Sequence, residues 1–306
     1  MDTEQTRRRA GATARRRNPS RAVGRRARRR KRRIRNGIRL GVMLFLLLAA
    51  GKLLLLLLGA SGSGALTGRA TAVEAPVQRT REEALAALEE LASSASAYQK
   101  IVERSDAYPD AVLEALANNP EMLEFASAYP DSDGTVTGGL TREETRDDYP
   151  LFLQWDSRWG YASYGSSCIG ISGCGPTCLS MTVYALTRDE SATPDRLADY
   201  AWRQGYYVEG TGTAWSLMTD GAADFGITGT ELALDEQLMK RELDAGHPII
   251  CAMGPGDFTT AGHFIMLYGY DDSGFFVNDP NCRSRSGRAW SYDDLSGQIK
   301  NLWYFQ

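Results

Sequence analysis

Gly173-Cys174-Gly175-Pro176-Thr177 runs directly into Cys178-Leu179-Ser180-Met181-Thr182-Val183-Tyr184-Ala185-Leu186. A cysteine between two glycines stands before a proline suited to the opening of a helix. The glycines predict backbone angles that let the chain turn sharply from loop into helix. The run after them is apolar almost all the way round, which predicts a helix buried inside a domain. A thiol at the N-terminus of such a helix feels the positive end of the helix dipole, which favours the thiolate and makes Cys174 a candidate nucleophile. The alternative is a buried structural cysteine, since free cysteines are among the most buried residue types. Partners elsewhere in the chain must decide.

The chain has 306 residues and a formal net charge of −3, which hides a severe split. Residues 1–39 carry 17 Lys+Arg against Asp2 and Glu4, leaving 18 basic and 36 acidic groups for the rest. Between the two lies Leu40–Leu58, 19 residues with the single charge of Lys52 and 11 leucines. That is the length of a membrane-spanning helix. Lys52 opposes insertion by about 3 kcal/mol, whereas the leucines together favour it by roughly 3–6 kcal/mol, and the long lysine stem can snorkel outward. The expected organisation is a basic cytoplasmic tail (1–37), a single transmembrane anchor (38–60) and an extracellular remainder, oriented by the Arg-rich flank. Topology accounts for the arginines, so nucleic acid is not an expected partner. Ser63-Gly64-Ala65 resembles a signal-peptide cleavage site, but the hydrophobic stretch exceeds a usual signal core and favours an uncleaved anchor.

Residues 61–79 read as a flexible stalk, rich in Gly, Ser, Ala and Thr over its first part. Thr80-Arg81-Glu82-Glu83 is a capping box, and one apolar stripe carries the helix it opens to about Val102. Two short helices follow near Pro109–Ala117 and Pro120–Ser127. Leu113, Leu116, Met122, Leu123 and Phe125 must bury, yet the segment 80–148 is too small for a core of its own; it is expected to dock on the domain 149–306. There, helices are predicted at Pro194–Gln204, Trp215–Phe225 and Asp235–Ala245. Strands are predicted at Pro248–Met253, His263–Tyr270, Phe275–Asp279 and Asn301–Phe305. Helices first and consecutive strands later indicate an α+β fold.

The chain contains only two histidines. His247 lies in a helix-to-strand turn and reads as structural. His263 begins a strand of apolar neighbours, where an imidazole needs a partner. The turn Asp271–Gly274 folds the chain back so that the returning strand ends at Asn278-Asp279, near the start of the first; the register stays open. An Asp accepting from one ring nitrogen leaves the other free to take a thiol proton. Cys174, His263 and Asp279 in these roles make an acyl-transfer triad, the alternative being a hydrogen-bonded structural histidine. Gln154, in Leu153-Gln154-Trp155-Asp156, is the candidate side-chain donor to an oxyanion.

Several ordered motifs resemble a known family: Phe152–Gly160, Ile171–Met181, Gly210–Trp215, Phe258–Ile265 and Asn278–Asn281. Together they resemble the papain-fold cysteine peptidases related to bacteriocin-processing (double-glycine leader) peptidases, over about residues 149–306. The resemblance implies a papain-like α+β fold with Cys174 as nucleophile, His263 as base, Asp279 as orienter and Gln154 in the oxyanion hole. It is to a membrane-anchored relative without the ATP-driven exporter to which bacteriocin-processing members are typically fused.

Thr213, Trp215 and Gly262 lie in Gly/Thr-rich loops that are plausible walls of a substrate groove, or ordinary loop structure. Cys178 and Cys251 look like core residues, and a Cys168–Cys282 disulfide is an open possibility. The spacing Cys168-x5-Cys174-x3-Cys178 offers no zinc site, and no cofactor is expected. The expected function is membrane-anchored extracellular peptide-bond hydrolysis through a thioester, with a peptide or protein as substrate. Transglutaminase-like or cell-wall amide acyl transfer keeps the same triad, and a non-catalytic surface-binding module is the reading from another class. The acidic ectodomain favours basic substrates without locating a patch.

Overall fold

The computed structural model describes residues 73–306. The basic tail, the expected anchor and most of the stalk lie outside the described residues. Among the described residues no helix is long and apolar enough to cross a membrane.

Four helices come first: α1 (Arg81–Leu91), α2 (Ser96–Glu103), α3 (Asp110–Asn118) and α4 (Leu123–Ala128). The Thr80–Glu83 capping box forms as the sequence predicts. The single helix expected to run to Val102 is broken in two. Ser93 and Ser94 turn their hydroxyls onto the carbonyls of Glu90 and Leu91, offering the backbone an alternative to the helical ladder. Leu113, Leu116, Met122 and Phe125 are buried and Leu123 partly so. Their cluster includes Leu153, Trp155 and Cys168 from the following domain. The helical segment therefore shares a core with its neighbour.

That neighbour opens with a small hairpin, β1 (Ser163–Tyr164) and β2 (Ser167–Cys168), and the short α5 (Ile169–Ser172). Then come α6 (Cys174–Thr187) and α7 (Pro194–Arg203), followed by a second small hairpin, β3 (Tyr207–Val208) and β4 (Gly212–Thr213). The helix expected over Trp215–Phe225 is a 3-10 turn, Trp215–Met218, and a short α8, Asp220–Ala223. It breaks where an edge strand crowds it: a Cβ on Gly229 would lie 1.8 Å from the Met218 carbonyl oxygen. That strand is β5 (Gly229–Glu231), and α9 (Glu236–Ala245) ends on Gly246 in the left-handed region, at φ 88°.

Strands β6 (Ile249–Met253), β7 (His263–Asp271), β8 (Gly274–Asn278), β9 (Ala289–Trp290) and β10 (Ile299–Phe305) complete a six-stranded antiparallel sheet of order β5-β10-β6-β7-β8-β9. Two further short helices, α10 (Arg283–Ser286) and α11 (Tyr292–Ser296), flank β9. The alternation of side chains along a strand divides the core between two faces. Ile250, Ala252, Phe264 and Met266 pack with α6 and α7, where Cys178 through Tyr184 are buried without interruption. Ile249, Cys251, Met253, Ile265 and Leu267 pack on the other side with Met239 and Leu243 of α9. The α+β architecture stands, with α6 packed against one face of the sheet.

Candidate active site

Cys174 is the first residue of α6 and partly exposed. The flanking glycines serve a different purpose from the one the sequence suggests. Gly173 has an ordinary φ of −88°. A Cβ there would sit 2.6 Å from the Ile169 carbonyl, and one on Gly175 would sit 2.8 Å from the Thr213 side chain. Both are glycines because neighbours press against the turn on either side of Cys174. Pro176 is the third helical residue, still within the turn whose N–H groups have no helical partner.

His263 begins β7 and Asp279 follows β8. The register pairs Met266 with Asn278, which brings the two to one end of the hairpin. His263 Nε2 donates to Asp279 Oδ1 at 2.7 Å, with Asp279 wholly buried. The carboxylate also accepts the Asn281 backbone N–H on Oδ1 at 2.8 Å and Arg285 on Oδ2 at 3.2 Å. Burial opposes its charge, but the His263 charge and hydrogen bond, with Arg285 and Asn281, hold it below the ordinary carboxylate value. Burial likewise pulls the His263 imidazolium down. The Asp279 charge and hydrogen bond, joined by a hydrogen bond with Cys174, overcome this and push it up to about 9. An anionic Asp279 can only accept, so Nε2 carries the proton and Nδ1 is the nitrogen left for Cys174.

Gln154 is delivered by the loop after β8: its backbone N–H donates to the Pro280 carbonyl at 2.8 Å, while Trp155 Nε1 donates to Asn281 O. Its Nε2 donates to Gly170 O at 3.0 Å, and its buried Oε1 has no partner among the described residues. Exchanging the two atoms would set two acceptors against each other, so the orientation is fixed. The second Nε2 hydrogen remains available to a ligand.

Two cavities meet at this point, and both are lined by Ile171, Cys174, Gly262 and His263. The larger, about 530 Å³, runs along β4 and the end of β6 and is walled by Thr213, Trp215 and Met253 among others. The Thr213 hydroxyl is engaged by Tyr164 at 2.8 Å. Trp215 is half exposed. A Cβ on Gly262 would meet nothing, so close packing does not demand glycine there. The smaller, about 230 Å³, is walled on one side by Gln154, Phe258, Thr259 and Asn281 and on the other by residues of the N-terminal helices.

Arg285 is the site residue that sequence reasoning missed. It lies in Arg283-Ser-Arg285-Ser-Gly-Arg288, which reads as a surface charge run, yet Arg285 is 4% exposed while Arg283 and Arg288 face solvent. No spacing rule singles it out. His247 is bonded to Glu242 at 3.0 Å, away from the cleft residues. All five cysteines are free thiols, so Cys168 and Cys282 form no bridge. Cys168 packs in the helical core cluster, while the Cys282 thiol faces Glu121 and the Arg285 backbone N–H. Burial pushes the Cys282 thiol up to about 11.

A family model described as the Peptidase_C39 like family matches residues 146–305. Solved structures similar to the chain include the peptidase domain of Streptococcus ComA, a bi-functional ABC transporter involved in a quorum sensing pathway. It is 17% identical with a TM-score of 0.36, over 52% of this chain and 96% of that one. Another is a Bacillus anthracis protein described as a C39-like peptidase, 15% identical with a TM-score of 0.31, over 51% and 94% of the two chains. No curated protein matches.

Proposed function

The chain belongs to the Peptidase_C39-like family, and from that premise we propose that it is a cysteine peptidase with Cys174 as nucleophile, His263 as acid and base, and Asp279 as the group that orients it. The observation that carries this reading is the buried His263–Asp279 pair, bonded at 2.7 Å beside a thiol at the head of α6.

The chemistry follows from those positions. His263 takes the Cys174 proton on Nδ1, and the thiolate attacks the carbonyl carbon of a peptide bond. The oxyanion is met by the Cys174 backbone N–H and the uncommitted hydrogen on Gln154 Nε2. As the C–N bond breaks, the imidazolium gives its proton to the leaving amine, and a thioester remains. Water then attacks the thioester, its proton passing to His263 and on to the departing thiolate. Asp279, bound by Arg285 and Asn281, stabilises the imidazolium throughout. Arg285 acts here as a positioning residue.

The Leu40–Leu58 stretch and the Arg-rich flank before it support a single anchor with the peptidase domain outside the cell. Protease protection of intact cells, followed by a blot for the tail, tests that topology. The enzyme reading is tested by digesting a peptide library with wild type and Cys174→Ala: wild type cleaves and the variant does not. Equal cleavage by both, or labelling of Cys174 by iodoacetamide no faster than free cysteine near neutral pH, overturns it.

A further inference from the structure

The smaller cavity has a wall that lies upstream of the residues the family model matches. Pro76, Ala111, Glu114, Ala115 and Asn118 line it together with Gln154, Cys174 and His263. Helix α3 explains how. Residues 111, 114, 115 and 118 follow the spacing that puts side chains on one helical face, while Val112, Leu113 and Leu116 are buried in the shared core. The cleft-facing stripe thus holds two alanines, which leave volume, together with one carboxylate and one amide.

This wall is fixed to the triad's own loop. Asn119 Nδ2 donates to Asn281 O at 2.5 Å, and Arg285 donates to the Glu74 carbonyl at 3.3 Å. The cations facing the cavity leave Glu114 without an ion pair among the described residues: Arg285 and His263 both bond to Asp279 instead. The Arg79 guanidinium is held by Asn118 Oδ1 and the Val77 carbonyl and makes no ion pair with Glu114 among the described residues. Glu114 receives the Arg79 backbone N–H on Oε1 at 3.0 Å, and its Oε2 accepts from no donor among the described residues.

We infer that the N-terminal helical segment is a working wall of the substrate cleft, and that Glu114 selects a lysine or arginine side chain of the peptide on that side of Cys174. This rests on the peptidase reading and adds a substrate class to it. A defined peptide library is digested with wild type, Cys174→Ala, Glu114→Gln and Glu114→Lys, and the cut sites are read by mass spectrometry. Wild type enriches Lys and Arg at one position on one side of the scissile bond. Glu114→Gln, which keeps the Arg79 contact, lowers the ratio of kcat/KM between a lysine peptide and its norleucine match about tenfold. Glu114→Lys turns the preference at that position to Asp and Glu. Circular dichroism and thermal unfolding verify that both variants are folded. Cysteine-dependent cleavage with the same preferences in all three Glu114 forms overturns the inference and leaves the peptidase reading standing. Cleavage that is absent, or indifferent to Cys174, overturns both.

Discussion

The two sides of the cleft meet at Cys174 and His263 but come from different parts of the chain. The larger side is built from the loops and strand ends of the peptidase domain: β4, the turn after it and the end of β6. The smaller side borrows about a third of its wall from α3, Asn119 after it and Pro76 before α1. The larger side is roomy and bears a half-exposed tryptophan; the smaller carries a carboxylate on a helix anchored from behind by Leu113 and Leu116. One side is therefore built by the domain that carries the candidate triad, whereas the other is an earlier stretch of chain bonded to the loop after Asp279.

Removing what the sides share has the largest effect. Cys174→Ala is expected to lower kcat by about 10⁴-fold or more on every peptide, whichever side its recognition residues occupy. Activity retained on peptides anchored in one side only breaks the symmetry of the comparison. Next comes Arg285→Met, which removes one partner of a buried ion pair and is expected to cost about 3–5 kcal/mol of stability. Because Arg285 also holds Glu74, the smaller side should loosen with it. Denaturant midpoints check the first expectation, and protease nicking near residue 76 checks the second.

The pH dependence belongs to both sides equally. His263 lies above its ordinary value of 6.5 because the Asp279 charge and hydrogen bond, with Cys174, outweigh the opposing effect of burial. Its contribution to stability is complete below about pH 6.5 and is lost as pH rises through about 9. Asp279 lies below its ordinary value of 3.8, so its contribution is complete above about pH 4 and is lost as pH falls through its folded value. The alkaline limb of kcat/KM is expected near pH 9, where the imidazolium that protonates the leaving amine disappears; a limb at 6.5 contradicts the Asp279 coupling. The smallest effect is Trp215→Ala, expected to raise KM a few-fold for peptides that fill the larger side, with kcat barely moved. Matched peptide series with one variable position on each side measure it.

The sheet was legible because its pattern is local. Strands β6 to β8 alternate between two apolar faces, and α6 is apolar around its whole circumference. Cys174, His263 and Asp279 stood out because they are polar residues at the start or end of apolar elements. Helix ends were harder: Ser93, Ser94 and the approach of Gly229 to Met218 interrupt helices whose periodicity continues on paper. Arg285 was illegible, since one arginine among three becomes buried only when Asp279, Glu74 and Trp290 close around it. The need of 80–148 for a neighbour's core followed from its size. Its place at the cleft did not, because it is set by Asn119 and Glu121, whose partners lie more than 160 residues downstream.

Glu121 carries that separation into the order of assembly. Its carboxylate receives the backbone N–H groups of Arg283 and Ser284 and the Ser284 hydroxyl, completing the first turn of α10 directly after the Asp279 loop. Glu121, in the 3-10 turn Pro120–Met122, leaves the ribosome long before that loop is synthesised, so a nascent chain holds the cap without the helix end that it caps. Closing a contact across 162 residues forfeits loop entropy before any bond repays it. Loop 279–286 is thus expected to be among the last parts to lock, and competence for cleavage to lag behind the formation of the sheet.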